Sequence, residues 1–367
     1  MKSLSLITGK LKGTTGKWSA LFSRLPDSNS SGSSKADILH DDRYITDPMA
    51  PYAPRPQKRR TRRKKLVPMI LFLLTCFSTF WVGITDWQPI YELTNLFVKG
   101  PGLFGADLDL MTLRRLIVRN WDQGLIYMAC VLVILLVHEM GHFIATLIYR
   151  IPATVPIFLP FPFNPIGTLG AVIGMAGMQA DRRQIFDIGI AGPLAGLVVA
   201  VPLAVIGIYQ LDLTQTPSGQ LAFECPLLFK WILMWTQIPG YENAIYDGVW
   251  LNQLNPYFAA AWVGFLVTGL NMVPIGQLDG GHITHALFRE KAHTVAKTMI
   301  VLAIAFMVYR GIPHLLIMVI LLLVMGPQHP PTRDDTVHLG KFRMALGIAS
   351  LTIPILCFPP NIFHIEF

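Results

Sequence analysis

Two histidines and a glutamate in the stretch Val137-His138-Glu139-Met140-Gly141-His142 carry the densest chemistry in this chain of 367 residues. On a helix, His138 and His142 are four positions apart, so both imidazoles leave the same face one turn apart. That spacing offers two nitrogen ligands to one zinc ion. Glu139 points to a neighbouring part of the face, where it can take a proton from water at the metal. The four Cys do not complete such a site. Cys76, Cys130 and Cys357 fall in apolar runs and Cys225 stands apart, with neither metal spacing nor a disulfide framework. The metal must then be held by His and carboxylate. In Asn271-Met272-Val273-Pro274-Ile275-Gly276-Gln277-Leu278-Asp279-Gly280-Gly281-His282, the Pro and Gly residues interrupt a helix. Asp279 is thereby free to face inward, and it is the natural third ligand.

The elements that must position these groups are membrane helices. Of the chain, 52% is hydrophobic and only 14% charged, against about a quarter charged in soluble domains. Ionisable groups in a lipid-length run mark a functional site by default. The net charge of +8 is uneven, and Lys58-Arg59-Arg60-Thr61-Arg62-Arg63-Lys64-Lys65 precedes the first apolar run. There it reads as a cytoplasmic topogenic signal that touches anionic lipid, not as a nucleic-acid site.

Residues 1–65 read as a disordered cytosolic tail, residues 66–123 as a first transmembrane helix and outer loop, residues 124–290 as a catalytic transmembrane core, and residues 291–367 as C-terminal helices. The expected fold is an all-α polytopic membrane protein with about seven transmembrane helices. They are predicted at residues 66–85, 124–149, 185–208, 257–274, 295–309, 314–325 and 344–358. The basic flanks predict a cytosolic N-terminus. The start of the chain, with Lys and Ser but no acidic residue before Asp27, can mimic an organellar transit peptide, and a bacterial cytoplasmic membrane is the expectation preferred to it. The stretch 151–179, with five Pro and four Gly, cannot be one straight helix. It is predicted as a small re-entrant or β-hairpin element beside the zinc site, whose Gly167–Gly174 part can offer an edge strand to an extended peptide. Gly192 and Gly196 form a small-xxx-small pair, read as helix packing. His282 and His285 read as interfacial or solvated, and Asp181 and Asp187 as partners of the adjacent Arg182-Arg183.

His138-Glu139-Met140-Gly141-His142 in one apolar span, paired with Asn271-Met272-Val273-Pro274 leading to Leu278-Asp279-Gly280-Gly281 in another, resembles the site-2 protease family of intramembrane zinc metalloproteases (peptidase M50-like). Gly167-Thr168-Leu169-Gly170-Ala171 and Ala191-Gly192-Pro193-Leu194-Ala195-Gly196 look like its plastid and cyanobacterial branch. The outer segments show no inserted PDZ-like domain, and no CBS pair follows the last span. The resemblance implies a zinc metalloendopeptidase in which His138, His142 and Asp279 bind Zn2+ and Glu139 is the catalytic base. It also implies that Asn271 holds the substrate backbone or the developing oxyanion. The partners implied are the lipid bilayer and a transmembrane protein substrate, cut near its cytosolic end in regulated intramembrane proteolysis. The oligomeric state is open. Two other functions use the same ligands: a membrane metal transporter, and a catalytically silent protein that captures membrane helices. A transporter would more often show repeated halves and ionisable groups along a route, and a silent binder would often lack the base or a ligand.

Overall fold

The first described helix shows the solvent it is built for. In α1 (Arg63–Ile84) the bulky Leu66, Met69, Ile70, Leu73 and Phe77 face outward, while Thr75, Ser78 and Thr79 are buried. That reverses the pattern of a soluble helix and suits one bathed in lipid, where small polar residues let helices approach. The buried hydroxyls find partners: Thr75 Oγ1 donates to the Leu71 carbonyl, and Ser78 Oγ donates to that of Gly167.

The computed structural model describes residues 63–99, 106–218, 221–310, 326–359 and 363–365, with residues 320 and 323 as isolated helical positions. All belong to one unit, Arg60–Phe367. Residues 1–62 of the expected tail (1–65) lie outside the described residues, while residues 63–65 begin α1; the span at 314–325 also lies outside apart from residues 320 and 323.

After α1 come α2 (Pro89–Leu96), the short antiparallel pair β1 (Phe97–Lys99) and β2 (Ala106–Leu108), and then α3 (Leu110–Ile148), 39 residues long. α3 starts well before the expected Gly124. The Asp109 side chain caps its start by accepting from the backbone N–H groups of Met111 and Thr112. Arg114, Arg115, Arg119 and Asp122 end the apolar run toward the N-terminus without ending the helix.

A hairpin of β3 (Ile157–Phe161) and β4 (Gly167–Val172) follows, antiparallel with an irregularity between Phe158 and Pro160. Then come α4 (Arg182–Tyr209), β5 (Leu221–Phe223), α5 (Leu227–Thr236), α6 (Tyr241–Tyr246) and β6 (Val249–Trp250). α7 (Pro256–Asn271), α8 (Asp279–Phe288) and α9 (Ala292–Arg310) precede α10 (Lys341–Ser350), α11 (Ile353–Cys357) and β7 (Phe363–Ile365), which pairs with β5. α3 packs on α1, α4 and α7, and α4 packs on α7 and α8.

Among the described residues four helices are long and apolar enough to cross a membrane: Leu66–Ile84, Leu110–Ile148, Arg182–Tyr209 and Asp279–Tyr309. The last is interrupted by a tight turn at Arg289–Lys291, where Arg289 takes φ +54°. The predicted span at 257–274 is the 16-residue α7, about 24 Å long. Its residues Phe258 to Leu266 are buried all round, so it is a core helix sheathed by protein. The predicted span at 344–358 breaks into α10 and α11, with Pro354 near the start of the second.

Candidate metal centre

α3 carries His138, Glu139 and His142, and all three are buried. α4 makes room for them with residues that have almost no side chain. Gly141 of α3 lies against the Ala191 carbonyl, so the two backbones nearly touch. A Cβ on Gly192 would overlap the His142 ring, and one on Gly196 would stand 3.1 Å from His138 Nδ1. The glycine pair is therefore more than a helix-packing device, because its surface is the floor beneath both imidazoles. α4 also sets the His142 tautomer. His142 Nδ1 lies 2.7 Å from the Ile188 carbonyl, which can only accept. The hydrogen is then on Nδ1, and Nε2 presents its lone pair.

Asp279 reaches the same point from a turn after α7. The chain doubles back over residues 272–278 and re-enters a helix at Asp279, the first residue of α8. Methyl groups on Gly280 or Gly281 would overlap the carbonyls of Met272 and Gly276, so only glycine lets the turn close. A carboxylate in the first turn also sits favourably at the positive end of α8.

The outcome is convergence. His138 Nε2 lies 3.2 Å from Asp279 Oδ2, His142 Nε2 lies 3.3 Å from Asp279 Oδ1, and the two Nε2 atoms are 3.3 Å apart. Tetrahedral bonds of about 2.0–2.1 Å place neighbouring donors about 3.3–3.4 Å apart. The donor spacing fits a zinc ion, as does the donor chemistry of two imidazoles and one carboxylate. Lone pairs aimed at one buried point repel one another unless a cation lies among them. Among the described residues this is the one group of side chains that could hold a metal.

Glu139 stands beside the trio and lines a cleft of about 140 Å³ with His142, Asn271, Asp279 and His282. Asn271, the last residue of α7, has its amide nitrogen 3.4 Å from His138 Nε2. Residues Ala171, Val172, Ile173 and Met175 at and after the end of β4 form another wall, so the expected hairpin does sit beside the site.

A family model for peptidase family M50 matches residues 126–310, half of the chain, and includes every one of these side chains. The chain belongs to peptidase family M50. Among its relatives is "Probable zinc metalloprotease EGY1, chloroplastic" of Arabidopsis thaliana, 28% identical over 304 residues, which are 80% of this chain and 53% of the relative. The EGY1 protein of Oryza sativa subsp. japonica is 30% identical over 238 residues (62% and 38%), and the Arabidopsis EGY2 protein 28% over 236 (61% and 39%). The chain spans about half or less of the length of these curated relatives.

Around the M50 site several side chains do other work than their sequence context suggested. His282 is buried and part of the cleft wall, with Nδ1 2.6 Å from His329 Nε2. His285 stacks on His329, ring centroids 4.2 Å apart, and bonds Asp335 at 3.1 Å. Neither is a solvated interfacial residue. Asp181 caps α4 and meets Arg333, not its neighbours Arg182-Arg183. Asp187 receives two hydrogen bonds from Arg343, at 2.7 and 2.9 Å, and one from Tyr149. The Arg182 guanidinium instead bonds the Ala286, Leu287 and Val337 carbonyls, closing the end of α8 onto the segment after α9. His329, Arg333, Asp335 and Arg343 come from stretches without a readable period, so only tertiary contact reveals them.

Proposed function

We propose that the protein is an intramembrane zinc metalloprotease that hydrolyses peptide bonds of membrane-spanning substrates near the cytosolic side of the bilayer. The observation that carries this reading is the 3.2–3.3 Å convergence of His138, His142 and Asp279 beside Glu139 in a buried cleft. His138, His142 and Asp279 would hold the zinc. Bound there, zinc supplies a Lewis acid that polarises a carbonyl and acidifies water.

This chain's own residues do the rest. Glu139 takes a proton from the attacking water as that oxygen bonds the scissile carbonyl carbon. It returns the proton to the leaving amine as the C–N bond breaks. The Asn271 amide donates to the substrate carbonyl and to the negative charge that grows on its oxygen. The end of β4 offers backbone groups to an extended peptide, so the substrate helix must unwind locally before its carbonyls are free. The buried glycine-floored wall of α4 holds the imidazoles still during these steps.

Residues 124–290 form the catalytic core in this reading. In this reading the basic stretch Lys58 to Lys65 lies on the cytosolic side and the site toward the inner leaflet. The relatives named above are chloroplastic. A bacterial cytoplasmic membrane and a chloroplast membrane share one topological outcome, with the basic end in cytosol or stroma. A metal route would need several ionisable stations. One ligand group with a carboxylate beside it suits turnover at one place.

Glu139→Gln tests the reading directly. Cleavage of a model transmembrane peptide should fall by about a thousandfold or more while zinc content is unchanged. Cleavage at the parent rate would contradict it.

A further inference from the structure

The bond between His282 and His329 links the linings of two spaces, His282 in one and His329 in the other. The first is the cleft that holds Glu139, Asn271 and Asp279. The second is a cavity of about 260 Å³ whose lining includes His285, His293 and His329. His329 belongs to a strap, residues 326–339, that follows α9 and lies beyond the stretch matched to the family. The strap is pinned to the bundle by backbone hydrogen bonds, from Arg333 N–H to the Ala180 carbonyl and from Arg182 N–H to the Asp334 carbonyl. Arg289 adds side-chain bonds to the Asp335 carbonyl.

The hydrogen-bond chain through the strap fixes both tautomers. His329 Nδ1 lies 2.6 Å from the Pro330 carbonyl, which can only accept, so Nδ1 carries the hydrogen. Burial, with the neighbouring His282 and His285, holds the His329 imidazole far below the usual histidine range, at about 3. The ring is therefore neutral near pH 7, and its Nε2 is an acceptor. At 2.6 Å the partner nitrogen, His282 Nδ1, must then be the donor. A neutral His282 is left with a bare lone pair on Nε2. Among the described residues no hydrogen bond is made to that nitrogen.

An extended peptide brings one N–H donor and one C=O acceptor per residue. Asn271 has an amide donor for a carbonyl, and the cleft needs an acceptor other than the catalytic base for an N–H. We propose that His282 is that acceptor, binding a backbone N–H of the peptide through Nε2, and that His329 is the positioning residue that holds it in this tautomer. The proposal rests on the peptidase reading only for the identity of the ligand as a peptide.

Two measurements on the full, zinc-loaded chain test it. First, ring 15N spectra of histidine-labelled protein, compared with His282→Asn, should show His282 Nδ1 protonated and Nε2 bare. A protonated Nε2 overturns the proposal without any need for turnover. Second, the Kd and KM of a model transmembrane peptide should rise about tenfold in His282→Asn, which keeps a donor toward His329 but loses the cleft nitrogen. kcat should change less than about threefold and zinc content not at all. His282→Gln, whose amide oxygen reaches the place of Nε2, should recover most of the loss, and His329→Ala should raise Kd by roughly threefold. Unchanged Kd in His282→Asn overturns the proposal. Absent cleavage by the parent protein, together with the tenfold Kd effect, would remove the peptidase reading and leave the role of His282 standing.

Discussion

Two groups of imidazoles meet at one cleft in this fold, through His142 and His282, and they are arranged differently. In the first, the rings of His138 and His142 stand 5.0 Å apart at 67°, and a nitrogen from each is turned toward Asp279. In the second, His285 and His329 lie flat on each other, 4.2 Å apart at 6°, and the nitrogens of His282 and His329 face each other. The first group spends its spare N–H on a backbone carbonyl, that of Ile188, and leaves a lone pair aimed at a common point. The second group turns four of its nitrogens to its own members, to the Pro330 carbonyl and to Asp335, and leaves His282 Nε2 without a bond among the described residues. Histidine count therefore does not make a metal site. The convergence of lone pairs makes a candidate for one, and here a glycine floor and a carboxylate from a third helix enforce that convergence.

The sharpest way to break this contrast is to remove the carboxylate. Asp279→Ala should lose zinc and lower cleavage by about a thousandfold or more, read by metal analysis and peptide hydrolysis on the same sample. Next in size is the floor. Gly192→Ala would drive a methyl group into the His142 ring, and a displacement of about 1 Å is enough to lower the rate roughly a hundredfold. Gly177→Ala, whose new carbon would meet only Ile185 at an ordinary 3.7 Å, should leave zinc and rate unchanged. The second cluster should answer differently. His329→Ala should keep its zinc, with a change of only a few-fold in KM.

The smallest effect is on the pH dependence of stability. His329 has a folded pKa of about 3, below the roughly 6.5 of an unfolded histidine. The unfolded chain takes up the proton first, so the stability this group contributes is full above that unfolded value. It is lost progressively as pH falls toward the folded one. Thermal melts between pH 7 and pH 5 should accordingly fall more steeply for the parent than for His329→Ala.

Much of the first group was legible in the sequence, because HExxH spacing and a Pro/Gly break before Asp279 are local signals. The hairpin at β3 and β4 was legible for the same reason, since five Pro and four Gly in 151–179 exclude a straight helix. The start of α3 was not. Apolarity ends near Gly124, but a helix backbone needs only its hydrogen bonds and a cap, and Asp109 provides the cap. The buried position of α7 was hidden too, because a helix sheathed by protein and one facing lipid are equally apolar. Gly192 and Gly196 looked like ordinary packing residues until the atoms above them proved to be His142 and His138. The link from His282 to His329 spans 47 positions and follows no period, so no pattern could announce it.

Zinc content and coordination, measured together by metal analysis and X-ray absorption on the purified full chain, test the central claim most directly. The account predicts about one zinc per chain with a shell of nitrogen and oxygen only, reduced to background in Asp279→Ala. Zinc retained in full by that variant, or sulfur in the shell, would contradict it.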